Sequence, residues 1–231
     1  MLNLDVYHEL AQEFVILGDE DPELTARFIL SGKESLISLK QSLRNVETIH
    51  FWNSLFYDDD NCPRYSSYVV TIKWSDDVKV NTELEDSYMD PIIRWTLNSV
   101  KRVEIDAYKP LPMSVIELLL RNSSFTEIEL YHCDSSTLKT LIESRKFNHV
   151  YMERSIFLNL NDVHINTEKL ELHYVSLENI LKTEFLKTNS LMLYSNEEFN
   201  DRIFEMNNIS LNFQSLENLE LVVRVFEYKA H

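Results

Sequence analysis

Glycine is nearly missing from this chain: Gly18 and Gly32 are the only two in 231 residues. Loops that cradle phosphate need glycine wherever backbone N–H groups must approach the ligand closely. No GxGxxG, GxxxxGK[ST] or GxSxG arrangement exists here, which disfavours nucleotide-dependent enzymes and α/β-hydrolases. The chain is therefore not expected to be an enzyme. Cysteine is also scarce. Cys62 and Cys133 stand in no CxxC pattern, so neither a disulfide framework nor a zinc site is indicated. A reducing compartment fits, cytoplasmic or nuclear. The start lacks a basic region followed by a continuous apolar run, so no signal peptide is expected. No stretch approaches the roughly 20 apolar residues that span a bilayer. Without secretion, the sequons at Asn122 and Asn208 are chance matches.

Positive charge is in short supply as well. The chain carries 22 Lys and Arg against 38 Asp and Glu, a formal net charge of −16. Such a chain repels phosphate backbones and anionic lipid, so neither nucleic acid nor membrane is an expected partner. A basic protein surface would be attracted, although the charge also simply favours solubility. Metal chemistry has no footing either. There is no HExxH among the seven histidines, and His164 and His173 lie nine apart with no third ligand evident. In His132-Cys133-Asp134, three adjacent residues at a strand end point in alternating directions, so ordinary strand-to-turn chemistry is expected. No metal and no cofactor is expected. The eleven tyrosines suit a binding face, but sequence alone does not localise it. Trp52, Trp74 and Trp95 read as core or strand-face residues.

What the chain does have is apolar content and periodicity. At 44% hydrophobic it can build a real core. Six short segments carry large apolar residues at alternate positions: 100–108, 125–133, 147–155, 167–175, 189–195 and 216–224. Their central residues are Val103, Ile128, Val150, Leu170, Leu191 and Leu219, in steps of 25, 22, 20, 21 and 28. Leucine-rich repeats use roughly 20–29 residues per unit, and stacked units bury faces that one unit alone cannot. Helical patterns lie between the strands at 111–121, 136–144 behind the N-cap Asp134, 176–187 and 197–206. Two earlier strands, 46–52 and 68–74, extend the array, with Ile49 to Val70 a step of 21. The step of 33 from Val70 to Val103 interrupts it. The segment 57–90 holds nine acids and three bases, which reads as solvated loops flanking one strand.

Ahead of the strands lie three helical stretches. Residues 2–14 bring Val6, Tyr7, Leu10 and Phe14 onto one helical face. A second helix begins at Asp21-Pro22, an N-cap followed by a first-turn proline, and carries Leu24, Phe28 and Ile29. A third, 33–43, carries Leu36, Leu39 and Leu43. This unit resembles an F-box, in particular the divergent type numerous in nematodes. Leu2 and Asn3 stand at the family's Leu-Pro site, with Asn3 in place of proline. Val6, Tyr7, Leu10 and Phe14 match its first helix, Asp21, Pro22 and Leu24 its second element, and Ile29 a later apolar site.

The fold class expected is α/β: an F-box-like helical module over residues 1–45, then a degenerate leucine-rich-repeat-like strand/helix array over 46–231. The resemblance implies docking on a Skp-type adaptor, and through it on a cullin, with a protein target held by the repeats. The adaptor-facing residues it implies are Leu2, Val6, Leu10, Phe14, Leu24 and Ile29. The alternative is a repeat-type binding scaffold in which the N-terminal helices only cap the array.

Overall fold

Parallel strands joined through helices dominate the chain, as alternating strand and helix patterns require. The computed structural model describes residues 31–57, 63–75, 79–85, 89–160, 163–175, 186–195 and 215–223, together with Glu9, Glu13, Arg27, Phe28, Asn179 and Ile180. The chain divides into two compact units, Met1–Phe125 and Thr126–His231. No described helix is long and apolar enough to cross a membrane.

In the first unit, α1 (Lys33–Leu43) leads into β1 (Thr48–Trp52) and a small antiparallel pair, β2 (Leu55–Tyr57) with β3 (Pro63–Tyr65). β4 (Val69–Lys73), β5 (Lys79–Glu83), α2 (Met89–Leu97), β6 (Arg102–Asp106) and α3 (Met113–Arg121) follow. The strand order is β5-β4-β1-β6. β1 and β6 run parallel, pairing Ile49 with Val103. β4 runs antiparallel to both β1 and β5. The expectation that Ile49 to Val70 is one more repeat step is therefore corrected. Ile49 faces Ile72 across an antiparallel pair. No helix is described between β1 and β4, and an antiparallel partner needs none.

Segment 57–90 also differs from its reading as loops around one strand. It contains β3, β4 and β5, and α2 begins inside it. β5 reads as polar because it buries only Val80, at the end of the strand order. α2 starts with Pro91 in its first turn, where a missing N–H costs nothing, and buries Ile92, Ile93 and Leu97. α1 is built into this unit. Its Leu39 and Leu43 are fully buried. The Trp74 indole donates to the Ser42 carbonyl at 2.8 Å, and Ser99 Oγ donates to the Leu43 carbonyl at 3.2 Å.

The second unit holds β7 (Glu127–His132), α4 (Ser135–Ser144), β8 (Phe147–Glu153), α5 (Arg154–Leu158), β9 (Ile165–His173), β10 (Leu186–Ser195) and β11 (Asn218–Val223). All neighbours from β7 to β11 are parallel and in sequence order. The register matches the repeat anchors: Ile128 pairs with Val150, Val150 with Leu170, Leu170 with Leu191, and Leu191 with Leu219. Two residues further on, Leu130, Met152, Leu172 and Leu193 line the same buried side. Asp134 caps α4 as its position suggests, accepting from the Ser136 and Thr137 backbone N–H groups at 3.0 and 3.1 Å.

Of the helix expected over 176–187, Asn179 and Ile180 are described and are helical, whereas Leu186 and Lys187 belong to β10, where Leu186 pairs with Ile165. The helix expected over 197–206 lies outside the described residues. The link between β8 and β9 carries a helix the periodicity did not reveal, five residues long, burying Ile156 and Phe157.

The buried hydroxyls of Thr167 and Thr188 repeat at the same 21-residue interval as the anchors Leu170 and Leu191, and Ser215 adds a part-buried one. Thr167 Oγ1 reaches the Phe147 carbonyl of the preceding strand at 3.0 Å, Thr188 Oγ1 the Glu168 carbonyl at 3.2 Å, and Ser215 Oγ the Thr188 carbonyl at 3.1 Å. Thr167 and Thr188 are 1% and 0% exposed. They tie successive strands at one end of the stack and hold the register set by the apolar anchors. Replacing Thr188 with valine keeps the shape and removes the donor, leaving buried carbonyls less well satisfied. The expected loss is about 1–3 kcal/mol in chemical denaturation. Leu170→Ala is expected to cost about 2–5 kcal/mol, and exposed Asn166→Ala less than about 0.5 kcal/mol.

Candidate functional site

Strand alternation gives the second unit two faces. One is the apolar core. The other is polar and aromatic, and the parallel register arranges it in rows. The first row runs Glu127, His149, Lys169, Ser190, Asn218. The second runs Glu129, Tyr151, Glu171, Met192, Glu220. The third runs Glu153, His173, Tyr194, Val222.

Glu171 is the hub of this face. One carboxylate oxygen lies 3.0 Å from His173 Nε2, while the other lies 3.4 Å from Lys169 Nζ and 3.2 Å from His149 Nε2. The His173 contact is a hydrogen bond. The His149 contact is close enough for an ion pair but is not a hydrogen bond, and His149 Nε2 is buried without one. Burial raises the Glu171 pKa, but the His173 hydrogen bond and the charges of Lys169, His149 and His173 outweigh it and hold the carboxyl below the usual range. His149 is pulled the other way. Burial lowers its pKa first, Lys169 lowers it further, and Glu171, Glu127 and Glu129 only partly oppose them. His149 thus favours the neutral form.

An aromatic file crosses the same rows. Ring centroids are 5.0 Å apart for Tyr131 and Tyr151, 4.6 Å for Tyr151 and His173, and 4.1 Å for His173 and Tyr194. These are ordinary aromatic contact distances, favourable beyond simple area burial. The Tyr131 hydroxyl donates to Glu129 at 2.8 Å. Tyr151 is 9% exposed, sandwiched between its neighbours, and its phenol pKa is pushed well up by burial and then by Glu153, Glu129 and Glu171. Where β9 ends, Tyr174 adopts φ 62, the left-handed region, and donates its N–H to the Tyr194 carbonyl at 2.7 Å. A bulky residue there costs about 1–2 kcal/mol. Such strain gathers where a surface is built for use. The Tyr174 ring stands edge-on to His173 at 6.0 Å.

The first unit has a smaller polar group of similar make-up. Glu104 accepts from Lys73 Nζ at 2.6 Å and lies 3.6 Å from His50 Nδ1. The Trp52 indole donates to Thr71 Oγ1 at 2.9 Å, and Thr71 in turn donates to Asn81 at 2.6 Å. A concavity of about 270 Å³ between α2 and α3 is lined by Arg94, Leu97, Asn98, Leu118, Arg121 and Asn122. Both arginines are engaged by acids one helical turn away, Asp90 and Glu117.

The adaptor-facing residues read from sequence, Leu2, Val6, Leu10, Phe14, Leu24 and Ile29, all lie outside the described residues. His164 and His173 are not brought together. Nine steps along β9 separate them, about 30 Å. In His132-Cys133-Asp134, the Asp134 carboxylate is engaged by the helix cap. The Cys133 thiol is pushed up to about 12 by burial and by Asp134, which makes it a poor nucleophile. Among the described residues no group of three or more His, Cys, Asp or Glu is placed to hold a metal ion. Sequence reasoning missed the aromatic and histidine file. Its signal was present in the polar positions of the alternating segments: Tyr131, Tyr151, His173 and Tyr194 each fall an odd number of residues from the repeat anchor.

Comparison with protein-family models, with curated proteins and with solved structures finds no match to this chain.

The two shifts at the hub set a pH response. His149 has its folded pKa lowered, so its contribution to stability is present above the unfolded value near 6.5 and is lost as pH falls from there toward the folded value. Glu171 also has a lowered folded pKa. Its contribution is present above about 4.5 and lost as pH falls through the folded value. Denaturation followed from pH 8 to pH 2 is expected to show stability falling in two stages, the first below about 6.5 and the second below about 4.5. His149→Gln is expected to remove the upper stage and leave the lower.

Proposed function

We propose that the chain is the substrate-recognition subunit of a Skp–cullin–F-box ubiquitin ligase. Residues 1–45 dock the Skp-type adaptor, and the degenerate leucine-rich-repeat-like array over 46–231 holds a protein target. The observation that carries the target-binding half is the in-register parallel stack, which presents rows of half-buried aromatic, histidine and glutamate side chains on one face. Such rows make a recognition surface rather than a reaction centre, since they bring no activated nucleophile to a cavity. The docking half rests on the F-box-like pattern of Leu2, Val6, Leu10, Phe14, Leu24 and Ile29.

An acidic chain gains nothing from bulk charge against an acidic adaptor, so docking must rest on apolar burial. Each large side chain fully buried contributes about 1.5–3 kcal/mol. A cytoplasmic or nuclear location follows from this role.

One observation favours the second reading, a binding scaffold without a ligase link. The third helix of the proposed module, α1, is locked into the first unit by the Trp74 and Ser99 hydrogen bonds and by buried Leu39 and Leu43, as a capping helix would be. The two readings separate on co-expression with a Skp-type adaptor. The ligase reading expects a stable complex that survives gel filtration. Leu10→Asp with Phe14→Asp is expected to weaken it at least about a hundred-fold, with the melting temperature of the chain itself unchanged. No complex from the parent chain, or an unweakened complex from the variant, leaves the scaffold reading standing.

A further inference from the structure

The C-terminal ends of α1, α2 and α3 lie side by side in the first unit. Ser99 Oγ, just past α2, donates to the Leu43 carbonyl of α1 at 3.2 Å. Just past α3, Ser124 Oγ donates to the Asn98 carbonyl at 2.9 Å, and Asn122 Nδ2 donates to the Asn98 amide oxygen at 3.2 Å. The stretches 40–44, 94–101 and 118–124 that form these ends carry Lys40, Arg44, Arg94, Lys101 and Arg121 and no acid. Cations in a last turn suit the helix dipole. Lys101 lies beyond the helices, however, and five cations without an acid run against a net charge of −16.

The concavity of about 270 Å³ between α2 and α3 opens among these ends. Its apolar lining is Leu97 and Leu118, and its polar lining offers donors. The Ser124 N–H donates to the Asn122 amide oxygen at 2.8 Å, which fixes how that amide is turned. Asn122 Nδ2 is thereby the donor to Asn98, and the Asn98 amide nitrogen makes no hydrogen bond with a described residue. The Leu118 carbonyl accepts from the Asn122 N–H at 3.2 Å. The acceptors of Asn98, Asn122 and Leu118 are all in use. Arg94 engages Asp90 through Nε and Nη2, and Arg121 engages Glu117 through Nη2. Arg94 Nη1, with Nη1 and Nε of Arg121, has no partner among the described residues. Both ion pairs are more than half exposed, and such pairs hold weakly.

We propose that this concavity binds a glutamate side chain from an acidic segment of a protein partner. A guanidinium fork matches a carboxylate, and here two forks and one amide donor line a single small space. A few convergent polar groups in a partly apolar hollow are the usual make-up of a binding site. The two methylenes of a glutamate lie against Leu97 and Leu118 while its carboxylate accepts from Arg94, Arg121 and Asn98. Aspartate is too short to use both parts of the lining. Arg44 and Lys101, which make no ion pair with a described residue, stand at the neighbouring helix ends to receive flanking acids. The inference stands apart from adaptor docking and from the polar face of the second unit, and it holds under either reading of the proposed function.

The probe is an acetylated, amidated peptide alternating glycine and glutamate, compared with the same peptide carrying glutamine, which keeps the shape and removes the charge. The full chain is titrated without any adaptor at about 0.15 M salt, where its distant acids are screened beyond about 8 Å. Binding is followed by fluorescence anisotropy, and the arginine Nε–H and asparagine amide resonances by NMR. The glutamate peptide is expected to bind at least about ten-fold more tightly than its glutamine counterpart and to shift Arg94, Arg121 and Asn98. Arg94→Gln and Arg121→Gln are each expected to weaken it about ten-fold. Asp90→Asn with Glu117→Gln removes the internal competitors and is expected to tighten it about three-fold. Lys146→Gln, at an exposed ion pair of the other unit, is expected to leave it unchanged. Melting temperatures identify any variant that has lost its fold, and the shifts in the parent chain test the site without mutation. Equal binding of the two peptides overturns the proposal. So does a loss in Lys146→Gln equal to that in Arg121→Gln, which would mean general charge attraction only. Weaker binding in the Asp90 and Glu117 double variant overturns it too, as does binding that requires a free C-terminal carboxylate on the peptide. Absence of binding at about 1 mM peptide overturns it as well. None of these outcomes bears on adaptor co-purification, which alone decides the ligase link.

Discussion

The register of the parallel strands is the constraint on which the second unit depends. A side-chain period of two leaves no neutral slip, because moving one strand by a single residue exchanges its buried and solvent sides. Ile128, Val150, Leu170 and Leu191 are each at most 1% exposed and sit opposite one another from strand to strand. A shift by one in β9 would bring Lys169 or Glu171 into that column. The cost of burying an unpaired charge far exceeds that of a lost methylene. Leu219, in the last described strand, keeps the register at 37% exposure.

The hydroxyl ties work alongside this apolar constraint. Thr167 and Thr188 lie 21 apart, the same step as Leu170 and Leu191, so these two strands each carry a donor three residues before the anchor. The donor reaches a carbonyl of the strand before it. A buried carbonyl at the start of a strand needs a partner. A short, stiff threonine supplies one without the entropy loss of a longer side chain. The strands carry no asparagine ladder, and threonine and serine supply these ties instead.

Much of the second unit was legible because its strands bury one face and leave the other polar. All six alternating segments became strands, five of them in the second unit, and the anchors of those five paired from strand to strand. Where periodicity misled, a different physical rule was in force. The 21-residue step from Ile49 to Val70 matched a repeat by number, but no helix is described in that interval, and the chain returns antiparallel. β5 was hidden because an end strand buries little, and α2 because its apolar positions follow an acidic run. The polar face was the least legible. Its residues are recognisable only once the neighbours across the strands are known. Tyr131, Tyr151, His173 and Tyr194 come from four separate repeats.

The two faces are therefore one design seen from opposite sides. Each anchor that enters the core fixes its sequence neighbours on the other face, and the parallel stack lines them up at the strand spacing of about 4.8 Å. That spacing brings aromatic rings into contact between adjacent strands, and it sets three glutamates, Glu129, Glu171 and Glu220, in the single row that also holds Tyr151 and Met192. Like charges in one row repel, and the structure relieves this unevenly. Glu171 draws on two histidines and a lysine, and Glu129 on a tyrosine hydroxyl, while Glu153 in the next row is left without such a partner. A fold stabilised only for itself would gain by neutralising that position. The strained Tyr174 at the end of β9 lies on the same part of the sheet. Two local costs in one place, on a sheet whose core is otherwise closely fitted, set this face apart from the buried one.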